Sequence, residues 1–163
     1  MEYPLLPKQM PERIKKVWRN SSLTTTIILL LIGIGSALFI QWLDHLQGIW
    51  LWIFGTYFAV LVLILIFTLA LIPYRYKYYR YEITAEDLAF QKGYFFRSIT
   101  YVPINRIQHV ETEQGPSLRK ENLMEIVIHT AATSHHIAGL DVEEAMELRN
   151  QIIELVKVAK EDV

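Results

Sequence analysis

With 163 residues, a formal net charge of −1 and 52% hydrophobic residues, the chain has room for one domain, or for a membrane anchor plus a domain of roughly 90 residues. The near-neutral charge argues against a strongly basic nucleic-acid binder, and the absence of cysteine excludes disulfides, thiolate nucleophiles and cysteine-ligated zinc. Apolar residues crowd into the first half, which favours the anchor-plus-domain layout.

Residues 1–22 are expected to form a cytoplasmic tail. MEYPLLPKQM, with Pro4 and Pro7, reads as extended. Pro11 to Arg19 then suits a short amphipathic helix, with proline at a first helical position and Ile14, Val17 and Trp18 on one face. From Leu23 to Leu43 no charged residue occurs in 21 positions, enough at a ~1.5 Å rise to cover a ~30 Å hydrocarbon core. Residues 44–48 leave room only for a tight external turn. Ile49 to Ile72 gives a second uncharged run of 24 residues. A cleaved signal sequence fits poorly, because the first run is too long, its leader is long and a second span follows at once.

The outer flanks carry Lys8, Arg13, Lys15, Lys16 and Arg19 on one side and Arg75, Lys77 and Arg80 on the other, whereas the turn has Asp44 and no Lys or Arg. The charge asymmetry predicts both termini on the cytoplasmic side of a bacterial cell membrane. Lys15, Lys16, Arg19, Arg75, Lys77 and Arg80 are placed to meet anionic lipid, or serve only as topology signals. Gly33 and Ala37 on the first span and Gly55 and Ala59 on the second form small-xxx-small pairs at similar depth. They predict Gly33 near Ala59 and Ala37 near Gly55, with chance or a contact to another subunit as the competing readings. Neither span contains an Asp, Glu, Lys, Arg or His, which argues against an ion path or proton relay.

Residues 73–163 change character, into short segments rich in β-branched and aromatic residues. Strands are expected around Tyr79–Thr84, Leu88–Phe90, Arg97–Val102, Ile107–Glu113, Leu123–Thr130 and His135–Ala138, with turns at Ala85–Asp87, Gly93 and Gly115-Pro116, and closure on Gly139. Asp141 can cap a helix with Glu144 three residues on, after which Ala145, Leu148, Ile152, Leu155 and Ala159 recur at helical spacing. The expected fold is therefore a membrane α-helical hairpin plus an α+β domain, a bent antiparallel sheet or partly open barrel capped by a C-terminal helix.

Several blocks carry a resemblance: Tyr81-Glu82-Ile83-Thr84, Val102 to Val110, the Gln114-Gly115-Pro116 turn with Arg119, Ile126 to Ala131, and Ile137-Ala138-Gly139-Leu140. From about Tyr76 to Lys157 the chain resembles the bacterial pleckstrin-homology-like membrane proteins of the YdbS type, and the double span matches that layout. The resemblance implies a seven-stranded, helix-capped fold at the membrane face, often accompanied by a larger relative with several copies of the domain. It implies no reaction or ligand.

The turn matching the basic phosphoinositide hairpin of eukaryotic pleckstrin-homology domains is Ala85-Glu86-Asp87, which disfavours such binding. Arg106, Gln108, Gln114 and Arg119 are the candidate partner-contact residues, with an intradomain salt bridge or turn bond as the plainer reading. His109, His129, His135 and His136 show no metal-ligand spacing, adjacent histidines on a strand pointing to opposite faces. No catalytic residue, cofactor, metal or nucleic-acid partner is expected. The leading functional expectation is an anchored, non-catalytic module docking a membrane protein partner or a second copy. The alternatives are an anionic-lipid sensor and an accessory subunit of a transporter or membrane enzyme.

Overall fold

A computed structural model describes residues 4–43, 47–93 and 96–161. The chain divides into two compact units, Trp18–Ile72 and, discontinuously, Met1–Val17 with Pro73–Val163.

The first unit is built from α1 (Ile14–Trp42) and α2 (Ile49–Lys77), both long and apolar enough to cross a membrane. The expected turn residues Asp44 to Leu46 lie outside the described residues. On α1 the more covered positions are Ser22, Thr26, Leu30, Gly33, Ala37 and Ile40; on α2 they are Phe54, Tyr57, Phe58, Leu61, Leu65 and Thr68. These spacings of three and four form one seam per helix.

Gly33 lies on that seam, but its neighbour is not Ala59. A Cβ at Gly33 would sit 2.5 Å from Cε1 of Tyr57 and 3.1 Å from Cε1 of Phe58, and the Tyr57 hydroxyl donates to the Leu29 carbonyl at 2.8 Å. Gly55 and Ala59 are exposed, and a Cβ at Gly55 would meet nothing within 4 Å. The expected Gly33–Ala59 and Ala37–Gly55 juxtaposition is thus corrected. The second helix is rotated so that an aromatic pair, not its small residues, fills the gap that Gly33 leaves.

In the second unit, β2 (Arg80–Ile83), β3 (Asp87–Lys92) and β4 (Ser98–Pro103) form an antiparallel sheet, and β5 (Ile107–Glu113), β6 (Leu123–Thr130) and β7 (Ser134–Asp141) form another. Among the described residues the sheets do not close into one barrel. α3 (Pro116–Lys120), with proline in its first turn, fills the Gly115-Pro116 junction, and α4 (Val142–Glu161) packs on β5, β6 and β7. The core gathers Tyr81, Leu88, Val102, Ile104, Ile107, Ile126, Ile128, Ile137 and Leu140 with Ala145, Leu148 and Ile152 of α4.

The domain does not begin at residue 73, and the segment expected as a tail belongs to it. β1 (Lys8–Gln9) pairs antiparallel with β2, Lys8 opposite Tyr81 and Gln9 opposite Arg80. Leu6, Met10, Ile14 and Val17 recur at intervals of three to four and are all buried. Around them Arg80 Nη1 donates to the Leu6 carbonyl at 3.0 Å, the Tyr76 hydroxyl donates to the Met10 carbonyl at 2.8 Å, and Arg13 pairs with Asp141 and donates to the Glu121 carbonyl. The seventh strand thus comes from before the first long helix. The short helix expected before the first span is not separate among the described residues, since Ile14 already opens α1.

β7 runs past Gly139 to Asp141, and its register with β6 shifts between Met124 and Glu125, leaving Gly139 as the extra residue. At φ +94° Gly139 holds a backbone that side chains resist, and a Cβ there would meet Ile14 Cδ1 at 2.5 Å. The bulge is the seat of Ile14. The expected Asp141–Glu144 capping box is replaced by other bonds: Asp141 pairs with Arg13, and Glu144 Oε1 accepts from the Tyr81 hydroxyl at 2.5 Å. Burial and that carboxylate push the Tyr81 phenol well above its ordinary range.

Candidate interaction site

Between β4 and β5 the chain turns through a single 3₁₀ turn, Ile104–Arg106, because Pro103 ends the ladder and buried Ile104 and Ile107 anchor both sides. The Ile104 amide donates to the Glu86 carbonyl at 2.9 Å, tying the corner to the β2–β3 hairpin. Asn105, Arg106 and Gln108 are left outside, all exposed. Arg106 and Gln108 make no side-chain hydrogen bond or ion pair among the described residues.

These side chains border a cavity of about 580 Å³, closed on other sides by Thr100–Pro103, the Thr130–Thr133 turn and His135. Thr130 Oγ1 donates to the Thr133 carbonyl at 2.8 Å and accepts from the Thr133 amide at 3.2 Å, which ties that turn together. The His135 ring lies 5.3 Å from that of Phe90; burial first, and then the charges of Lys92 and His136, hold its pKa below the ordinary histidine value. β4 pairs only with β3, and β5 only with β6, so each presents an unpaired edge among the described residues. Such an edge accepts an extended peptide.

The four candidate partner-contact residues do not gather at one place. Arg106 and Gln108 border the cavity. Gln114 and Arg119 lie past the other end of β5, roughly 20 Å away at ~3.3 Å per residue. Gln114 Nε2 donates to the Leu123 carbonyl at 2.9 Å, fixing the connection to β6, and Arg119 is exposed on α3.

Several basic residues assigned to lipid have protein partners. Arg80 holds the Leu6 carbonyl and Gln9, Lys16 faces Glu121 at 3.9 Å, and Lys15 lies 3.1 Å from Glu12 and 4.1 Å from the Tyr76 ring centroid. Lys77 lies 5.7 Å from the Tyr78 ring centroid, and Arg19 is exposed. Their charge is thus partly engaged in docking residues 4–17.

Sequence reasoning missed Gln91 altogether, took Arg13 only as a flanking charge and took Gly139 only as a strand end. Gln91 is buried and its Oε1 accepts from the Leu6 amide at 3.3 Å. Only the spacing of Met10, Ile14 and Val17 hinted at a docking face. On the strands of the second sheet three histidines lie beside carboxylates: His109 by Glu111 at 2.8 Å, His129 by the same Glu111 at 3.6 Å, and His136 by Glu125 at 2.9 Å. Among the described residues no group of three or more His, Asp or Glu could hold a metal ion.

No solved structure matches the chain. A relative from Bacillus subtilis (strain 168), described as UPF0699 transmembrane protein YdbS, is 40% identical over 149 residues, covering 91% of this chain and 91% of its own. Residues 15–156 match the family described as Bacterial PH domain. With the two long apolar helices and the helix-capped antiparallel sheets, these matches establish that the chain belongs to the bacterial PH domain family, as a membrane protein of the YdbS type.

Proposed function

We propose that this protein is a non-catalytic docking module, anchored by a hairpin that crosses the membrane twice, which receives an extended segment of a protein partner at the corner between its sheets. The observation that carries the reading is the cavity of about 580 Å³ bordered by the unpaired β4 edge and by two exposed, unpartnered side chains, Arg106 and Gln108. An added strand would satisfy the β4 backbone groups, and the guanidinium would select an acidic side chain or a carboxylate.

Residues before the first span and after the second build one unit, which supports placing both flanks on the same side of the bilayer. Their basic residues favour the cytoplasmic side. The partner would then be a cytoplasmic segment of another membrane protein, including a related protein with several copies of the domain.

The test is site-specific photo-crosslinking in native membranes, with the reactive group at Gln108 or Tyr101 and a control at Val158 on α4. Discrete protein adducts are expected at the first two positions only, weakened by Arg106→Glu. Adducts with lipid alone, or the same adducts from Val158, would reject the docking site.

A further inference from the structure

We infer that the extended segment received at the corner between the sheets is β5 of a second copy of this chain, the two copies clasping about a two-fold axis at Ile104–Arg106 so that β4 of each pairs antiparallel with β5 of the other. This inference rests on the docking reading and names its partner.

The first support is the pair of edges. β4, of six residues, and β5, of seven, each have one unpaired edge among the described residues, and backbone edges of that length are normally paired or covered. Only Ile104–Arg106 separates the two strands along the chain. Head-to-tail pairing of β4 with a neighbour's β5 leaves an edge at each end until a ring closes, whereas a two-fold axis at the corner covers the β4 and β5 edges of both copies at once. The side chains permit it. β4 carries no charge from Ser98 to Pro103, so Glu111 and Glu113 of an incoming β5 meet no like charge on that strand. The ladder between β5 and β6 slips between Ile107 and His109, which leaves Gln108 outside it, beside Thr100–Pro103 in the cavity wall.

The second support is charge. A two-fold contact needs a patch that complements itself, with both members of each attractive pair present on one copy. Arg106 is exposed, and the Glu86 carbonyl that accepts from the Ile104 amide fixes the β2–β3 turn against the same corner. The Glu86 side chain is exposed as well, and neither it nor the Arg106 side chain has a hydrogen bond or ion pair among the described residues. One copy therefore presents an unused guanidinium and an unused carboxylate on one patch without joining them. Rotation about the corner brings Arg106 of each copy to Glu86 of the other. Tyr101, 57% exposed on β4, supplies the kind of aromatic side chain that such an interface covers.

Full-length chains carrying two different affinity tags would be co-expressed, and recovery of one tag through the other measured in mild detergent. Arg106→Glu in both chains should lower co-recovery about tenfold, as should Glu86→Arg in both, because each creates like-charge contacts across the axis. Arg106→Glu in one chain with Glu86→Arg in the other should return it to within about twofold of the unmutated level, since every contact across the axis regains opposite charges. Pairing within one chain cannot produce that rescue. The chain has no cysteine, so single introduced residues report the strand contact. Tyr101→Cys in one chain should form a disulfide with His109→Cys or Glu111→Cys in the other, all three positions being exposed, and not with Val158→Cys. Absence of co-recovery between unmutated chains, failure of the mixed charge pair to restore it, or disulfides as frequent with residue 158 overturns the second-copy inference. Discrete photo-adducts of Gln108 with a different protein would then leave the docking reading standing, and their absence would remove it too.

Discussion

Replacing Ile14 by alanine and Gly139 by alanine, singly and together, tests whether residues before the membrane are part of the domain core. Ile14 is 1% exposed, so its truncation should cost about 3 kcal/mol, within the ~2–5 kcal/mol range for buried isoleucine. Gly139→Ala should cost a comparable amount. Holding alanine at φ +94° costs ~1–3 kcal/mol, and the new methyl would meet Ile14 Cδ1 and Cγ1 at 2.5 and 2.7 Å. In the double variant those two atoms are gone and only the residue 14 Cβ remains, at 3.2 Å. The double variant should therefore be more stable than the sum of the singles by at least ~1 kcal/mol, beyond the ~0.3–0.5 kcal/mol scatter of independent sites. Pulse proteolysis of the micelle-solubilised chain along a urea series reads this out domain by domain. Additive costs, or an Ile14→Ala cost under ~1 kcal/mol, would refute the seat that Gly139 provides.

Other outcomes follow from the same geometry. Residues 73–163 expressed alone should lack a cooperative unfolding transition, because burial of Leu6, Met10, Ile14 and Val17 is worth ~1.5–3 kcal/mol each against a whole-domain stability of ~5–15 kcal/mol. A sharp urea transition for that fragment would contradict this. Gly33→Leu should destabilise the hairpin by ~1–3 kcal/mol through collision with Tyr57, while Gly55→Leu should leave it unchanged, as measured by thermal unfolding in detergent; equal effects would contradict the seam. His135 has a depressed pKa in the folded state, so its contribution is complete above the unfolded value near ~6.5 and is lost as pH falls through that value towards the folded one. Stability profiles from neutral to mildly acidic pH should thus flatten in His135→Phe, and an unchanged slope would assign the acid sensitivity elsewhere.

The two long apolar helices, the strands of residues 80–141 and the last helix were legible because each is written in local periodicity: uncharged runs, alternation as in Met124 to His129, and a 3.6-residue stripe from Ala145 to Leu155. What escaped is non-local. β1 is two residues long, and its partner lies more than seventy positions away, so no local pattern distinguishes Lys8-Gln9 from an extended tail. Gly139 reads as a strand terminator until Ile14 is seen against it. The rotation of α2 that brings Tyr57 rather than Ala59 to Gly33 depends on packing along both helices, which small-residue spacing alone does not fix. Arg106 and Gln108 stand out in the sequence only through the blocks that resemble the family, and that they border one cavity is seen only in the fold. Their separation from Gln114 and Arg119 follows only once β5, with its irregularity between Ile107 and His109, is seen to lie between the pairs.

The discontinuous domain makes the hairpin more than an anchor. To bury Leu6, Met10 and Ile14, the chain must bring residue 17 back to residue 73, and closing a flexible loop of the 55 residues Trp18–Ile72 costs about 3–4 kcal/mol. Two antiparallel helices packed along the Gly33–Tyr57 seam replace that flexible loop by a preformed connection, which reduces the cost. Replacing Trp18–Ile72 with a short flexible linker should consequently restore a cooperative, water-soluble domain that residues 73–163 cannot form alone, with stability falling by only ~0.6 kcal/mol for each doubling of the linker. A linker-joined chain no more cooperative than the bare fragment would mean that the membrane helices stabilise the domain by something other than bringing its two ends together.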